Sequence, residues 1–186
     1  MTLDEMIVGV LAQMHRPYDG ATMDEWRTRI KLYLNEALCD LTAALRPWRR
    51  ETVRIEGGCV NTALLSRHCI KVLELCVDGR RRTFFYNGRL DCLGVPGIIS
   101  GEAVLCYRYM PPALENPDDT PDLPAECHPL LVTYAVARER TQWDGQSLNG
   151  ASAGFALYEA QRGRVRKTLG EPLGYGFFNK GGEKGE

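Results

Sequence analysis

The sequence predicts an α+β fold: a small bundle of about four helices, starting with an α-helical hairpin, that carries an inserted antiparallel β-meander of four to five strands. Three observations lead to this prediction. Helix-capping patterns followed by apolar residues at helical spacing occupy the N-terminal part. Residues 51–110 carry strand and turn signals only, and helical spacing resumes near residue 128.

The first two helices are predicted from their starts and their apolar faces. Thr2-Leu3-Asp4-Glu5 and Thr22-Met23-Asp24-Glu25 both have the spacing of a capping box. The second is followed by the clearest helical stripe in the chain, and Pro47 should end that helix because proline lacks the N–H donor. The stripe consists of Trp26, Ile30, Tyr33, Leu34, Ala37, Leu38, Leu41, Ala44 and Leu45.

The β insertion is predicted from alternating or β-branched runs separated by turns. Cys69–Val77 is followed by Asp78-Gly79, and Thr83–Tyr86 by Asn87-Gly88. Both dipeptides are strong hairpin signals because their residues tolerate positive φ. A shorter alternating run, Thr52–Ile55, opens the insertion, and the last strand should cover Ala103–Tyr109. These runs together predict the meander.

The rest of the chain divides into a link, two helices and a tail. Residues 113–123 form an acidic, proline-rich link, typical of extended chain. A third helix should run from His128 or Pro129 to about Trp143, and a fourth over about 148–169. Residues 1–170 are therefore interpreted as a single domain with helical core 1–48 and 124–169, and 171–186 as an extended C-terminal arm. The inward residues expected on the fourth helix are Phe155, Tyr158, Val165 and Leu169.

Composition excludes several classes of protein. With 186 residues, 44% apolar content and a formal charge of −1, the chain is neither disordered nor generally basic like a dedicated nucleic-acid binder. Its beginning shows no secretory signal, and no apolar run is long enough for a membrane span. Seven cysteines without a C-x-x-C motif are interpreted as reduced thiols of a protein made in the cytoplasm.

No motif indicates catalysis or a bound cofactor. The three histidines, His15, His68 and His128, lack the spacing of metal ligands, and no nucleophile elbow or phosphate loop is found. We therefore expect neither an enzyme nor a cofactor or metal. Two alternatives stay open: a small cytoplasmic enzyme with an unrecognised Cys/His site, and a monomeric regulatory module that binds a protein through a sheet edge.

Two features are candidates for contacts with partners. The fourth helix ends in a basic cluster. This cluster is interpreted either as a solvated surface or, where many subunits line up, as a source of phosphate contacts. The glycine-rich arm carries large apolar side chains that could serve as docking anchors. The residues of the basic cluster are Arg162, Arg164, Arg166 and Lys167, and those of the arm are Leu173, Tyr175, Phe177 and Phe178.

The order of elements and several short motifs resemble the head-to-tail connector, or neck adaptor, proteins of tailed bacteriophages. The first helical pair ends in Tyr33–Leu41 and Arg46-Pro47-Trp48, and the β insertion ends in Val104–Pro111. The L-P-x-x-x-H stretch at the start of Asp122–Arg138 then leads into an alanine-rich helix. The resemblance covers residues 25–170, although the β insertion is larger than in the purely helical adaptors.

This resemblance implies a structural virion protein. Such adaptors form a homo-oligomeric ring, usually of twelve copies, under the portal protein at the head–tail junction. Their helices line a channel through which double-stranded DNA passes without sequence-specific contacts. C-terminal arms dock on the portal, and the opposite side of the ring accepts the next neck or tail-completion protein. The implied location is the neck of the virion, after synthesis in the bacterial cytoplasm, with no membrane partner.

Overall fold

A computed structural model describes residues 1–86, 91–143 and 148–169. Within these ranges it contains the predicted four α-helices and two antiparallel sheets, so the mixed α+β class with a helical start is confirmed. The expected Asn87-Gly88 turn and the C-terminal arm, 171–186, lie outside the described residues. In the described ranges no helix is both long and apolar enough to cross a membrane.

The helices begin and end close to the predicted residues. They are α1 (Leu3–Gln13), α2 (Gly20–Leu45), α3 (His128–Trp143) and α4 (Leu148–Leu169). The capping box of α1 is complete: Thr2 Oγ1 accepts the Glu5 N–H at 3.2 Å, and Glu5 Oε2 accepts the Thr2 N–H at 2.9 Å.

The start of α2 differs from the prediction. Its N-cap is Asp19, whose Oδ1 accepts the Thr22 N–H at 3.0 Å, so the helix begins before the Thr22-Met23-Asp24-Glu25 pattern. The Thr22 hydrogen bond also lowers the pKa of Asp19. The earlier cap is physically reasonable because a carboxylate satisfies exposed N–H groups and interacts favourably with the helix dipole. At its other end α2 is capped by Arg46, which adopts φ 55° directly before Pro47.

The four helices share one hydrophobic core in which α3 runs antiparallel to both α2 and α4. Arg29 and Glu36 of α2 lie beside Glu139 and Arg138 of α3, respectively. Tyr134 of α3 packs edge-to-face on α4 residues. The largest fully buried members of this core are Leu3, Met6, Ile7, Leu11, Ile30, Leu34, Leu41 and Tyr158.

The β insertion is larger and differently connected than the predicted meander. Its strands are β1 (Trp48–Ile55), β2 (Cys59–Asn61), β3 (His68–Val77), β4 (Arg80–Arg82), β5 (Phe85–Tyr86), β6 (Cys92–Gly94) and β7 (Gly101–Met110).

The seven described strands form two sheets, in the order β1-β7-β3-β4 and β2-β6-β5. A meander would pair each strand with the next one along the chain, whereas β7 lies between β1 and β3 and β6 lies between β2 and β5. The pairing of first and last strands brings entry and exit of the insertion together, where the Tyr109 N–H donates to the Pro47 carbonyl at 3.2 Å. The two sheets share a second hydrophobic core, which includes Val60 and Leu93 of the smaller sheet.

One predicted hairpin turn is confirmed, and two side-chain predictions are wrong. Asp78 and Gly79 join β3 to β4 with φ values of 51° and 70°. The expectation of seven reduced thiols fails because Cys59 and Cys92, on the paired strands β2 and β6, form a disulfide. On α4, Tyr158 is buried and Phe155 and Val165 are partly buried, but Leu169 is 42% exposed because it ends the helix beyond the shared core.

Replacing two glycines of α4 with alanine should change the stability of the protein differently. A Cβ at Gly154 would lie 3.0 Å from the Ala137 Cβ and 3.3 Å from its Cα, whereas one at Gly163 meets nothing within 4 Å. Gly163→Ala should therefore stabilise the protein by up to about 1 kcal/mol through helix propensity. Gly154→Ala should lose that gain to the α3–α4 clash. Thermal unfolding of the two variants tests this, and a melting temperature for Gly154→Ala above that of Gly163→Ala would contradict it.

Candidate functional site

The C-terminal half of α4 is attached to α2 through one carboxylate. The Tyr158 hydroxyl donates to Asp40 Oδ2 at 2.5 Å, and Arg162 Nε lies 2.9 Å from the same oxygen. Arg162 Nη1 also lies 3.0 Å from Glu159 Oε2. Burial and the Asp40 hydrogen bond raise the pKa of Tyr158, so this hydroxyl stays a donor throughout the physiological range. The Asp40 carboxylate thus holds both an aromatic ring and a guanidinium in place.

These contacts divide the predicted basic cluster into two parts. Arg162 is only 27% exposed and already has two carboxylate partners, so it positions α4 rather than offering a free cation. Arg164, Arg166 and Lys167 are exposed. Within the described ranges these three cations form no ion pair with a carboxylate. They are therefore available to a polyanion such as nucleic acid.

The predicted arm follows directly from this basic turn. Its anchor residues, Leu173, Tyr175, Phe177 and Phe178, lie outside the described residues. The described part fixes where the arm departs: at Leu169, the last residue of α4. Arm and basic turn therefore belong to the same end of the helical bundle.

A Cys/His site receives little support from the geometry. His68 and Cys69 both line a cavity of about 500 Å³, together with Asp91 and Tyr86. Burial raises the pKa of the Cys69 thiol, which is the opposite of what a thiolate nucleophile needs. No group of three or more His, Cys, Asp or Glu side chains in the described ranges is arranged to hold a metal ion.

His128 serves the helical core. Its Nδ1 lies 2.9 Å from the Met1 ammonium, and Nε2 lies 3.2 Å from the Leu123 carbonyl oxygen. The ring is 3% exposed, and burial lowers its pKa. A neutral ring that accepts at Nδ1 and donates from Nε2 satisfies both contacts.

The lowered pKa of His128 predicts an acid-sensitive stability. The unfolded chain binds a proton near the ordinary histidine pKa of about 6.5, whereas the folded chain resists it. The contribution of the neutral His128 ring to the free energy of unfolding is therefore complete above that pH. It is lost as the pH falls below it. Urea unfolding at pH 7.5 and 5.5 should show the loss, and His128→Gln should reduce this pH difference. The matched variant of the exposed histidine, His68→Gln, should retain it; equal pH profiles for the two variants would refute the assignment.

A sheet edge is also accessible, as the binding-module alternative expects. β1 is an outer strand of the four-stranded sheet. A groove of about 340 Å³ lies along it, between Thr52 and Arg54 of the strand and Leu64, which is 81% exposed. A strand with one unpaired side can accept another chain by β-augmentation.

The polar contacts that organise the bundle have no recognisable signature in the sequence. Asp40 and Glu139 are single acidic residues within helices, and nothing in their spacing indicates that one joins α2 to α4 and the other lies fully buried. The only available signal is a charge next to an apolar stripe, which is common on solvated faces.

Comparison with known proteins adds no relative: no family model matches the chain, and neither does any curated protein.

Proposed function

We propose that this chain is a neck adaptor of a tailed bacteriophage, a structural protein that forms a ring beneath the portal. In the ring, the junction between head and tail is sealed, DNA passes through the centre, and the next neck or tail-completion protein attaches below. The proposal rests on the resemblance in element order and motifs, together with the geometry of α4.

The observation that carries the proposal is the arrangement of side chains at the C-terminal end of α4. Asp40 holds this helix against α2 through Tyr158 and Arg162, while the next turn exposes Arg164 and Arg166 and leads into the aromatic arm. One rigid helix thus presents a basic surface and the starting point of a docking segment. When this helix is repeated in every subunit of a ring, the few phosphate contacts of each subunit add up to many contacts with DNA. In the same way, arms that each bind weakly attach the ring strongly to the portal.

The position of the β insertion also supports a ring. It leaves the bundle after α2 and returns before α3, and its two sheets bury their own core. The helices can therefore pack against neighbouring subunits through heterologous contacts, while the sheets lie at the periphery or on the tail-facing side.

The direct test is cryo-electron microscopy of the purified protein mixed with its cognate portal, with the protein alone as control. We expect an added ring on the portal, with each subunit's C-terminal arm reaching the portal surface. Failure to bind under conditions in which a known neck protein binds would refute the proposal.

The arm is tested separately by a length-preserving variant. Replacing Leu173, Tyr175, Phe177 and Phe178 with serine should weaken portal binding by more than about 100-fold, because the loss is repeated in every subunit. Serine at Glu183 and Lys184 is the matched control and should leave binding unchanged. Equal binding by both variants would exclude a docking role for the aromatic residues.

A further inference from the structure

An apolar cleft separates the end of α2 from the four-stranded sheet. It has a volume of about 310 Å³, which lies in the range of ligand-sized pockets, roughly 300–1,000 Å³. The α2 side is formed by Cys39, Ala43 and Arg46, and the sheet side includes Ile70 and Met110. The cleft thus lies where the helical bundle meets the β insertion.

The sheet is locally modified at this cleft. The register of β3 against β7 shifts between Cys69 and Lys71, which makes Ile70 the extra residue of a β-bulge. The Ile70 side chain is 52% exposed although it is large and apolar. Bulges redirect side chains and occur at functional edges of sheets. Ile70 lines both this cleft and the cavity beside His68, so an apolar group that enters the cleft would cover part of its exposed surface.

The chain's own C-terminal segment leaves the bundle at the same end. Because α3 is antiparallel to both α2 and α4, the latter two run parallel, with Asp40 level with Tyr158 and Arg162. Beyond the Asp40–Arg162 contact α2 continues for about 7 Å and α4 for about 10 Å, at 1.5 Å per residue. The end of α4 and the cleft-lining end of α2 therefore lie at similar positions along the direction of the two helix axes.

Length and chemistry both fit this segment to the cleft. The aromatic residues Tyr175, Phe177 and Phe178 follow Leu169 by six to nine residues, a reach of up to about 20–30 Å. Each aromatic side chain buries about 150–250 Å² on docking. Arg46 and Arg108 line the cleft, and guanidinium groups stack on aromatic faces.

We propose that the aromatic segment 173–178 docks into this cleft of its own subunit when the protein is free. The docked segment then covers Ile70, and the cleft holds the arm against the bundle until a partner displaces it. The inference concerns the chain alone and is independent of the portal proposal.

Engineered cross-linking tests the proposal in the full chain. With Asn179→Cys, mild oxidation should give a monomeric species in which peptide mapping finds a disulfide to Cys39, which is exposed and lines the cleft. Glu186→Cys, beyond the aromatic residues, is the matched control and should cross-link far less. A disulfide to Cys39 found only in dimers would assign the cleft to a second copy and overturn the proposal, as would its absence.

Alkylation of the native cysteine gives a second readout. Replacing Phe177 and Phe178 with serine should raise the alkylation rate of Cys39 about tenfold, as expected if the segment leaves the cleft open about a tenth of the time. Cys76, which is partly buried on β3 away from the cleft, is the internal control and should react at an unchanged rate. Equal rates at Cys39 in both proteins would refute docking, whatever the outcome of portal binding.

Discussion

Tyr158→Ala is expected to destabilise the protein by about 3–5 kcal/mol, the usual cost of truncating a buried aromatic side chain. The ring of Tyr158 is 1% exposed and packs edge-to-face on Tyr134 with centroids 5.2 Å apart. Its hydroxyl donates to Asp40 at 2.5 Å. Alanine removes the packing and the hydrogen bond together, so α4 loses its central attachment to α2 and α3. Urea unfolding followed by circular dichroism measures the loss.

Tyr158→Phe separates the two contributions. The ring remains, while Asp40 loses one donor and keeps Arg162 at 2.9 Å. We expect a loss of about 1.5–3 kcal/mol, typical of a hydrogen bond to a charged group. Leu157→Ala, on the neighbouring residue that is 53% exposed, should stay within about 0.5 kcal/mol. A Tyr158→Ala variant as stable as Leu157→Ala would show that α4 is held by other contacts.

The same variant should affect the proposed function beyond stability. Arg164, Arg166 and the arm all follow the Tyr158–Asp40 contact along α4. If α4 detaches, these groups no longer share one fixed geometry in each subunit. Portal binding by Tyr158→Ala should therefore fall at temperatures at which the rest of the protein is still folded, as judged by the β-sheet signal.

The helices could be predicted from sequence because their signals are local. The capping box at Thr2, the stripe on α2 and the proline at position 47 act within a few residues, and the structure reproduces each one. The Asp78-Gly79 turn is local as well. The start of α2 at Asp19 was missed because two overlapping capping residues compete, and spacing does not decide between them.

The sheets and the site could be predicted only in part because they depend on distant residues. The pairing of β1 with β7 joins residues about fifty positions apart, such as Thr52 and Val104. Turn signals alone suggest neighbouring strands, which led to the meander. The disulfide between Cys59 and Cys92 likewise depends on the β2–β6 pairing. The basic turn of α4 was predicted, but Arg162 is set apart from it by ion pairs with Glu159 and with Asp40, and Asp40 lies on another helix.

Arg29→Met is expected to cost about 1–3 kcal/mol, less than breaking a fully buried ion pair, because the arginine side chain is itself 49% exposed. Glu139 is fully buried, and its Oε1 accepts from Arg29 Nη1 at 3.0 Å. The Tyr33 pKa is raised mainly by burial and also by the Glu139 carboxylate, which places a second polar group beside it. Methionine keeps an unbranched side chain but removes the positive charge, together with the guanidinium that lies 5.0 Å from the centroid of the Trp26 ring. The buried Glu139 carboxylate then loses the neighbouring positive charge of Arg29.

Removing the charge of the other partner, Glu139, should destabilise the protein less than Arg29→Met. This difference between the two variants is the sharper test. In Glu139→Gln the arginine can turn into water, because its side chain is already 49% exposed. Arg140→Ala, one residue along α3 and exposed, is the control and should change the free energy of unfolding by no more than about 0.5 kcal/mol. Urea unfolding of the three variants should give the order Arg29→Met, Glu139→Gln, Arg140→Ala from most to least destabilised. If Glu139→Gln is the most destabilised, the cost lies in the lost carboxylate itself rather than in leaving it buried without its cation.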